Sequence, residues 1–180
     1  MKVLLHPAFK GEVEVVKGVN VEVEGAKVKV KGPLGVLERS FEKHMVKIYT
    51  QNGKVFVESY MKNKKGKATV NAVLTHIKNM MDGVLRGFTY KLKIIYSHFP
   101  INVKVEGDHV VIENFRGEKR KRLAKVLKGV RVEVKGDEVI ITGIDKEKVG
   151  QTAANIEMAT KSRGYDPRVF QDGIYVYHKG

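Results

Sequence analysis

The stretch VEVEGAKVKV at residues 21–30 returns in outline as VKVEGDHVVI at residues 103–112. Both copies read V-x-V-E-G-x-x-V-x-[V/I], and a short segment that ends in glycine follows each of them, KGPLG in the first copy and ENFRG in the second. Apolar and polar residues alternate on both sides of a glycine-containing turn, which is the pattern of a β-hairpin. Because the two copies lie 82 residues apart in a chain of 180, they predict a duplicated domain.

A further hairpin is predicted within each half of the chain. Alternating apolar segments flank an Asn-Gly pair at residues 52–53 in the first half and a Gly-Asp pair at residues 136–137 in the second. Asn-Gly is among the strongest short-range signals for a hairpin turn. Near the junction of the halves, residues 86–96 alternate between polar positions and aromatic or aliphatic ones, which predicts a strand.

Each half then closes with a segment of helical periodicity. In the first half, apolar residues between positions 68 and 81 fall on one face, and Gly83 is expected to end the helix. In the second half, a narrower apolar stripe predicts a helix over about residues 146–161. Asp145 precedes that helix and is its predicted N-cap.

The hairpins and helices together predict an α+β fold with two similar, duplicated domains. Each domain is expected to be an antiparallel β-sheet packed on one face against one α-helix. The predicted boundaries are residues 1–82 for the first domain and residues 83–180 for the second.

The net charge of the chain predicts its class of partner. Lysine and arginine total 34 against 20 aspartate and glutamate residues, which gives a formal charge of +14. Such an excess is typical of nucleic-acid binding. A thermophilic surface would be rich in both signs of charge, and a membrane-surface protein usually has a basic amphipathic helix, so we favour nucleic acid over both. No apolar run approaches the length of a membrane span, and we expect a soluble, intracellular protein that does not bind membranes.

No pattern of residues predicts catalysis or a metal site. The chain has no cysteine, which excludes disulfides and thiolate metal sites, and its six histidines lack ligand spacing. Residues 61–68 faintly resemble a phosphate-binding loop but lack its first glycine and its serine or threonine. The GxxG at residues 32–35 follows a predicted strand, so we interpret it as a structural turn. We therefore predict no catalytic residue, no metal, no cofactor and no small-molecule substrate. An enzyme acting on a phosphorylated compound is the weakest alternative.

Two basic clusters lie before the first helix and after the repeated hairpin of the second half. The first is predicted to be a loop that either contacts RNA or is merely solvated, and it comprises Lys62, Lys64, Lys65 and Lys67. The second is predicted to be either an RNA contact or one solvated helical turn, and it comprises Arg116, Lys119, Arg120, Lys121 and Arg122. Periodicity alone does not choose between these readings.

A third cluster, near the end of the sequence, mixes cations with aromatic residues and glycine. Cations contact phosphates, aromatic rings stack on unpaired bases, and glycine allows close approach of the backbone. We therefore predict an RNA contact in this segment. The segment runs from Lys161 to Tyr175.

Several of these segments resemble one known family. RVFQDGIYV at residues 168–176 resembles the archaeal and eukaryotic signature of the large-subunit ribosomal protein L6 family, and NFRGEK at residues 114–119 resembles its N-F-L-G-E-K segment. NMMDGV at residues 79–84 is similar to the family's N-M-x-x-G-V, and GPLG at residues 32–35 matches its turn. Arg116 departs from the pattern, because the family usually has leucine there.

The resemblance implies a function that the residues alone do not give. It implies two duplicated α+β domains and a structural role in the large ribosomal subunit, in the cytoplasm, next to other large-subunit proteins. It also implies binding to 23S-type rRNA near the sarcin–ricin loop and the base of the factor-binding stalk, with the main contact surface in the second domain. Carried over by position, the resemblance assigns that surface to Lys161, Arg163, Tyr165, Arg168, Phe170 and Gly173. A free nucleic-acid-binding module that acts outside the ribosome is the alternative.

Overall fold

The first half of the chain forms one compact unit in a computed structural model. The structure describes residues 6–162, 164–166 and 168–180. The chain divides into two compact units, Met1–Arg86 and Gly87–Gly180. The elements of the first unit are β1 (Phe9–Glu14), β2 (Asn20–Glu24), β3 (Lys27–Gly32), β4 (Gly35–Ser40), β5 (Val46–Gln51), β6 (Lys54–Ser59) and α1 (Lys64–Arg86).

The second unit follows a similar plan with one more strand. Its elements are β7 (Phe88–Ile95), β8 (Asn102–Glu106), β9 (His109–Glu113), β10 (Arg122–Lys125), β11 (Val130–Lys135), β12 (Glu138–Gly143), α2 (Lys146–Ala159) and β13 (Gly173–Lys179). Two segments of this unit recur below: the connecting loop, residues 114–121 between β9 and β10, and the α2–β13 segment, residues 160–172.

The predicted α+β class with duplicated domains is confirmed, but each unit contains two antiparallel sheets where the sequence predicted one. In the first unit the strand orders are β1-β6-β5 and β2-β3-β4, and in the second they are β10-β9-β8 and β11-β12-β7-β13. Each helix packs against strands of both sheets of its own unit. Alternation along a strand predicts which face is buried, but it does not reveal which hairpins share a sheet.

The repeated hairpins pair in the same register. Val21 lies opposite Val30 in the first copy, and Val103 lies opposite Ile112 in the second. Each hairpin turns through a glycine at positive φ, at +62° for Gly25 in the first copy. Positive φ costs glycine little, which explains the glycine at this step of the repeat.

Each unit has its own hydrophobic core. In the first unit, the buried side chains of α1 form one cluster with those of β3, β5 and β6. In the second unit, the buried side chains of α2 form one cluster with those of β7, β9, β12 and β13. Val30 and Ile112, equivalent positions of the repeat, are both fully buried, one in each core. The duplication therefore extends from the hairpin pattern to the packing.

The first helix begins earlier and ends later than its sequence suggested. Gly83 does not end it, because the helix continues through the buried Val84 to Arg86, and Gly87 follows at a φ of +73°. A single glycine is tolerated inside a helix when the apolar face continues beyond it. The predicted boundary between residues 82 and 83 thus falls inside α1. The second helix has Asp145 as its N-cap, as predicted, with the carboxylate accepting from the backbone N–H of Glu147 at 3.0 Å.

The GPLG turn is part of the packing of the first unit. A Cβ placed on Gly32 would lie 2.6 Å from Cγ2 of Val84, so only glycine allows this approach. The backbone N–H of Leu34 donates to the carbonyl oxygen of Val84 at 2.9 Å, which satisfies an acceptor in the last turn of α1. These contacts support the interpretation of the motif as a structural turn.

Candidate nucleic-acid interface

Arg116 lies on two aromatic rings of the α2–β13 segment. The central carbon of its guanidinium is 3.5 Å from the centroid of the Tyr165 ring and 4.7 Å from that of the Phe170 ring. The two rings meet edge to face with centroids 5.1 Å apart. A guanidinium stacked in this way keeps its N–H edges available for phosphate oxygens. The structure therefore brings together three of the residues that the sequence predicted for RNA contact.

The backbone at Arg116 has an uncommon conformation. Arg116 has a φ of +56° and Asn114 a φ of +57° within the short turn that opens the connecting loop. The side-chain amide of Asn114 donates to the carbonyl of Pro100 at 3.0 Å, which holds the turn. Non-glycine residues adopt this region at a cost, and such sites are frequently functional. Of the helical turn that the sequence offers for this cluster, the structure has one short 3₁₀ turn at Phe115–Gly117, in which Arg116 itself is left-handed, and residues 118–121 are not helical.

Arg122 is engaged within the protein. Its guanidinium donates to both carboxylate oxygens of Glu118, at 2.8 and 2.6 Å, and to the carbonyl of Ala159 at 2.8 Å. It also lies 4.2 Å from the centroid of the Phe115 ring. The hydrogen bond from Arg122 lowers the pKa of the Glu118 carboxyl below its ordinary value, although desolvation opposes the shift. Arg122 therefore ties the connecting loop to the end of α2, and its charge is largely neutralised by Glu118.

A buried carboxylate supports the other end of the aromatic cluster. Asp172 is 1% exposed and accepts from the backbone N–H of Ser97 at 2.8 Å, with Nδ1 of His98 at 3.4 Å. The His98 ring stacks on Phe170 with centroids 5.5 Å apart. The α2–β13 segment is thus anchored to the residues that follow β7, which holds Phe170 in place beneath Arg116.

Two adjoining grooves open beside this cluster. The first, which we call the cationic groove, has a volume of about 470 Å³, and among its lining residues are Arg116, Glu118, Arg122, Lys161, Ser162 and Tyr165. The second, which we call the aromatic groove, has a volume of about 450 Å³, and among its lining residues are Met158, Lys161, Ser162, Tyr165, Phe170 and Tyr175. Four residues line both grooves and form the wall that the grooves share, namely Met158, Lys161, Ser162 and Tyr165.

Of the other predicted residues of the second unit, Lys119, Arg168 and Gly173 line neither groove. Lys119 is exposed in the connecting loop, and Arg168 is exposed with its backbone N–H donating to the Asp166 carboxylate at 2.9 Å. Gly173 is buried, because the ring of Tyr175 covers it, and so it presents no surface to RNA. Arg163 lies outside the described residues.

The lysines of the first cluster lie at the beginning of α1 and not in a loop before it. The Asn63 side chain accepts from the backbone N–H of Gly66 at 2.9 Å, so the helix begins at Lys64. Lys64, Lys65 and Lys67 occupy the first turn, which contains no acidic residue, and Lys62 precedes it. The positive end of a helix dipole disfavours cations and attracts anions. This helix terminus is therefore strongly electropositive.

Among the described residues, no group of three histidine, aspartate or glutamate side chains is placed to hold a metal ion. Within the same ranges, no helix has the length and apolar character needed to cross a membrane.

Comparison with known proteins identifies the family. The family described as "Ribosomal protein L6" matches residues 15–87 and again residues 99–173, one match in each unit. The chain belongs to the ribosomal protein L6 family. The two matches agree with the duplication seen in the hairpin register and the two cores, and they confirm the resemblance found in the sequence.

Relatives match over nearly the whole chain. A protein named large ribosomal subunit protein uL6 from Ignicoccus hospitalis is 58% identical over 170 residues, covering 92% of this chain and 91% of its own length. The protein of the same name from Aeropyrum pernix is 54% identical over 168 residues, with coverage of 93% and 92%. These matches to ribosomal proteins agree with the prediction that the chain is not an enzyme.

Sequence reasoning missed several residues that shape the interface. Met158 is 68% exposed on α2 and lines both grooves, but its sequence position looks like any helix surface. His98 and Asp172 meet across 74 residues of sequence, which no local pattern reveals. Asp172 lies among apolar and aromatic residues, with Val169 and Phe170 before it and Ile174 and Tyr175 after it. An acidic residue in such surroundings is the one sequence signal of a buried carboxylate.

Proposed function

We propose that the chain is a structural constituent of the large ribosomal subunit and that it supports translation by binding rRNA. Its site is 23S-type rRNA near the sarcin–ricin loop and the base of the factor-binding stalk, beside other large-subunit proteins, in the cytoplasmic ribosome. Membership of the L6 family, relatives that are named large ribosomal subunit proteins and a net charge of +14 support this function. The chain uses no cofactor and acts on no small-molecule substrate.

One observation carries the proposal: the stack of Arg116 on Tyr165 and Phe170. It combines a cation, which binds phosphate, with aromatic rings, which bind unpaired bases. Lys119, Lys161 and Arg168 are exposed cations of the same unit, in the connecting loop and the α2–β13 segment. We therefore place the main rRNA surface in the second unit. Arg163 belongs to this surface on the basis of its sequence alone, and Gly173 supports it by accommodating the Tyr175 ring.

The mechanism is charge neutralisation that fixes the shape of the RNA. RNA helices repel one another through their phosphates, and lysine and arginine side chains that bind both partners allow them to lie close together. Each phosphate contact releases condensed counterions, so affinity falls steeply as salt rises. Direct reading of base identity is a minor part of this mechanism.

Footprinting of deproteinised large-subunit rRNA at two salt concentrations tests the proposal. We expect hydroxyl radicals to be excluded from a discrete set of backbone positions near the sarcin–ricin loop, and we expect that protection to persist at the higher salt. Diffuse protection that disappears with salt would instead identify a free RNA-binding module. Protection at a different discrete site would contradict the proposed binding site near the sarcin–ricin loop.

A triple variant, Lys64→Gln, Lys65→Gln and Lys67→Gln, tests the contribution of the first unit. Loss of three cations from the positive end of α1 should weaken rRNA binding and reduce the slope of log affinity against log salt by about 2–3. The same changes should raise the free energy of unfolding by up to about 1 kcal/mol at low salt, because they remove repulsion from the helix dipole. Lys27→Gln, Lys29→Gln and Lys31→Gln, on exposed positions of β3, form the control with equal charge. Equal affinities of the two triples would mean that the lysines at the beginning of α1 are merely solvated.

A further inference from the structure

The cationic groove and the aromatic groove differ in chemistry on the two sides of one wall. Arg116 and Lys161 face the first groove, and none of the ion pairs between described residues engages either of them. Glu118 also lines this groove, but Arg122 holds both of its carboxylate oxygens. The first groove therefore offers net positive charge to a ligand.

The aromatic groove offers flat apolar surface. Tyr165, Phe170 and Tyr175 line it together with Met158, and these rings provide the faces on which a planar group stacks. Its polar lining includes Glu157, which accepts hydrogen bonds, and Lys161 at the wall shared with the cationic groove. Planar stacking with an acceptor at one side suits a heterocyclic base with an exocyclic amino group.

The shared wall contains an unsatisfied polar group. Oγ of Ser162 is buried and has no hydrogen-bond partner among the described residues, although such hydroxyls are usually paired. Ser162 lines both grooves. A ligand that fills the grooves therefore gives this hydroxyl the partner that it lacks.

We propose that the two grooves together bind one unpaired nucleotide of the rRNA, with its base in the aromatic groove and its phosphate in the cationic groove. This inference rests on the proposed function and adds to it a defined nucleotide pocket. A volume near 450 Å³ for each groove lies in the range of small-ligand sites. A paired base cannot enter, because its face and edge are covered within the helix, so the nucleotide must be extruded or lie in a loop.

Arg116 links the two grooves and explains why its backbone adopts positive φ. The turn at residues 114–117 directs the guanidinium onto Tyr165, where it fixes the ring that both grooves share. Stacking also orients the free N–H edges of Arg116 for a phosphate.

The experiment compares Tyr165→Leu with the unchanged chain on deproteinised large-subunit rRNA, using two kinds of probe. Hydroxyl radicals report protection of the RNA backbone, and dimethyl sulfate and carbodiimide report accessible bases. For the unchanged chain we expect backbone protection together with loss of reactivity at one unpaired base. With Tyr165→Leu the backbone protection should persist at saturating protein, that base should regain its reactivity, and affinity should fall about 5- to 150-fold.

Two variants serve as controls. Tyr165→Phe keeps the ring and should keep the base protected. Tyr177→Leu removes a tyrosine of equal exposure, 53%, that lies outside both grooves and donates to Glu138, and it should leave base protection and affinity unchanged. A melting curve for each variant verifies that the fold is intact.

The outcomes separate this inference from the proposed function. If the unchanged chain protects the backbone but no unpaired base, or if Tyr165→Leu protects the same base as the unchanged chain, the nucleotide pocket is refuted while the rRNA function stands. In that case a segment of a neighbouring protein becomes the occupant to examine. If the unchanged chain gives no footprint at all, the proposed function fails and the inference fails with it.

Discussion

The two copies of the repeated hairpin agree through their paired strands and then diverge. Register is conserved through β2–β3 and β8–β9, and both copies bury the same positions against a helix. After β3 the first copy turns back within two residues, Pro33 and Leu34. After β9 the second copy continues through the connecting loop at residues 114–121 before β10 begins.

The two copies differ in the loop that follows the hairpin, and in the second copy this loop holds candidate RNA contacts. In the first copy, Leu34 lies at the position equivalent to Arg116, and its backbone satisfies the end of α1. In the second copy that position carries a guanidinium stacked on the α2–β13 segment. A loop changes at little cost to the core, because its residues contribute few buried apolar contacts. The strands preserve packing, and the loop beside them carries the candidate RNA contacts.

The largest effect is expected from truncation of the equivalent core residues. Ile112→Ala should lower the free energy of unfolding of the second unit by about 2–4 kcal/mol, and Val30→Ala that of the first unit by somewhat less, since it removes less volume. Native-state hydrogen exchange, read separately for the amides of each unit, measures both. Leu123→Ala, at a residue 61% exposed on β10, is the control. If either core variant lowered protection equally in both units, the two cores would not be independent.

A smaller effect is expected where the two copies begin to differ. Gly32→Ala should destabilise the first unit by about 1–3 kcal/mol, because its Cβ would clash with the side chain and carbonyl of Val84. Asn114, at the equivalent position, adopts positive φ, so Asn114→Gly should cost less than about 1 kcal/mol through loss of its hydrogen bond to Pro100. Urea denaturation of both variants provides the comparison. Equal losses would mean that the two turns are held in the same way.

The smallest effect concerns the ion pair that fastens the connecting loop. Arg122→Gln should lower the free energy of unfolding by about 1–2 kcal/mol at pH 7, because the Ala159 carbonyl and Glu118 lose their donor. The pKa of Glu118 is lowered in the folded chain, so its stabilisation is present above the ordinary value of 4.5 and is lost as pH falls through the lowered value. Because the Glu118 carboxylate is partly exposed, solvent screening limits this pH-dependent contribution to the free energy of unfolding to less than about 1 kcal/mol.

Urea denaturation at pH values between 7 and 3 measures this dependence. The unchanged chain should lose more stability on acidification than Arg122→Gln does. Arg131→Gln removes a more exposed pair, with Glu133 at 2.9 Å, and is the control. Parallel pH curves for the unchanged chain and Arg122→Gln would show that the pair does not stabilise the loop.

The sequence predicted the duplication well because both kinds of evidence for it are local. Alternation and turn glycines depend on neighbouring residues, so the hairpins at residues 21–30 and 103–112 were found in their correct register. Division of the hairpins between two sheets depends on contacts far apart in sequence and was not found. The ends of α1 were misplaced for the same reason, since the packing of Val84 against Gly32 outweighs the local signal of Gly83.

At the candidate site, a sequence predicts which types of residue are present but not which of them are already paired within the protein. Tyr165, Phe170 and Arg116 were singled out for stacking and charge, and the structure brings them together. Arg122 belongs to the basic cluster for which the sequence leaves RNA contact and a solvated turn both open, and in the structure Glu118 and the Ala159 carbonyl occupy its donors. Whether a charge is available depends on its neighbours in space, and composition does not record them.

The order of strands in the second unit has a consequence for synthesis. The first unit draws both of its sheets and its helix from residues up to Arg86, so it has all its parts once that stretch leaves the ribosome. In the second unit, β7 is the first strand to be made, and it lies between β12 and β13 in its sheet. The backbone hydrogen-bonding groups on one edge of β7 therefore have no strand to pair with until Gly173–Lys179 has been translated. Since domains fold as units during translation, the first unit can fold early, whereas the second closes only when its final strand arrives.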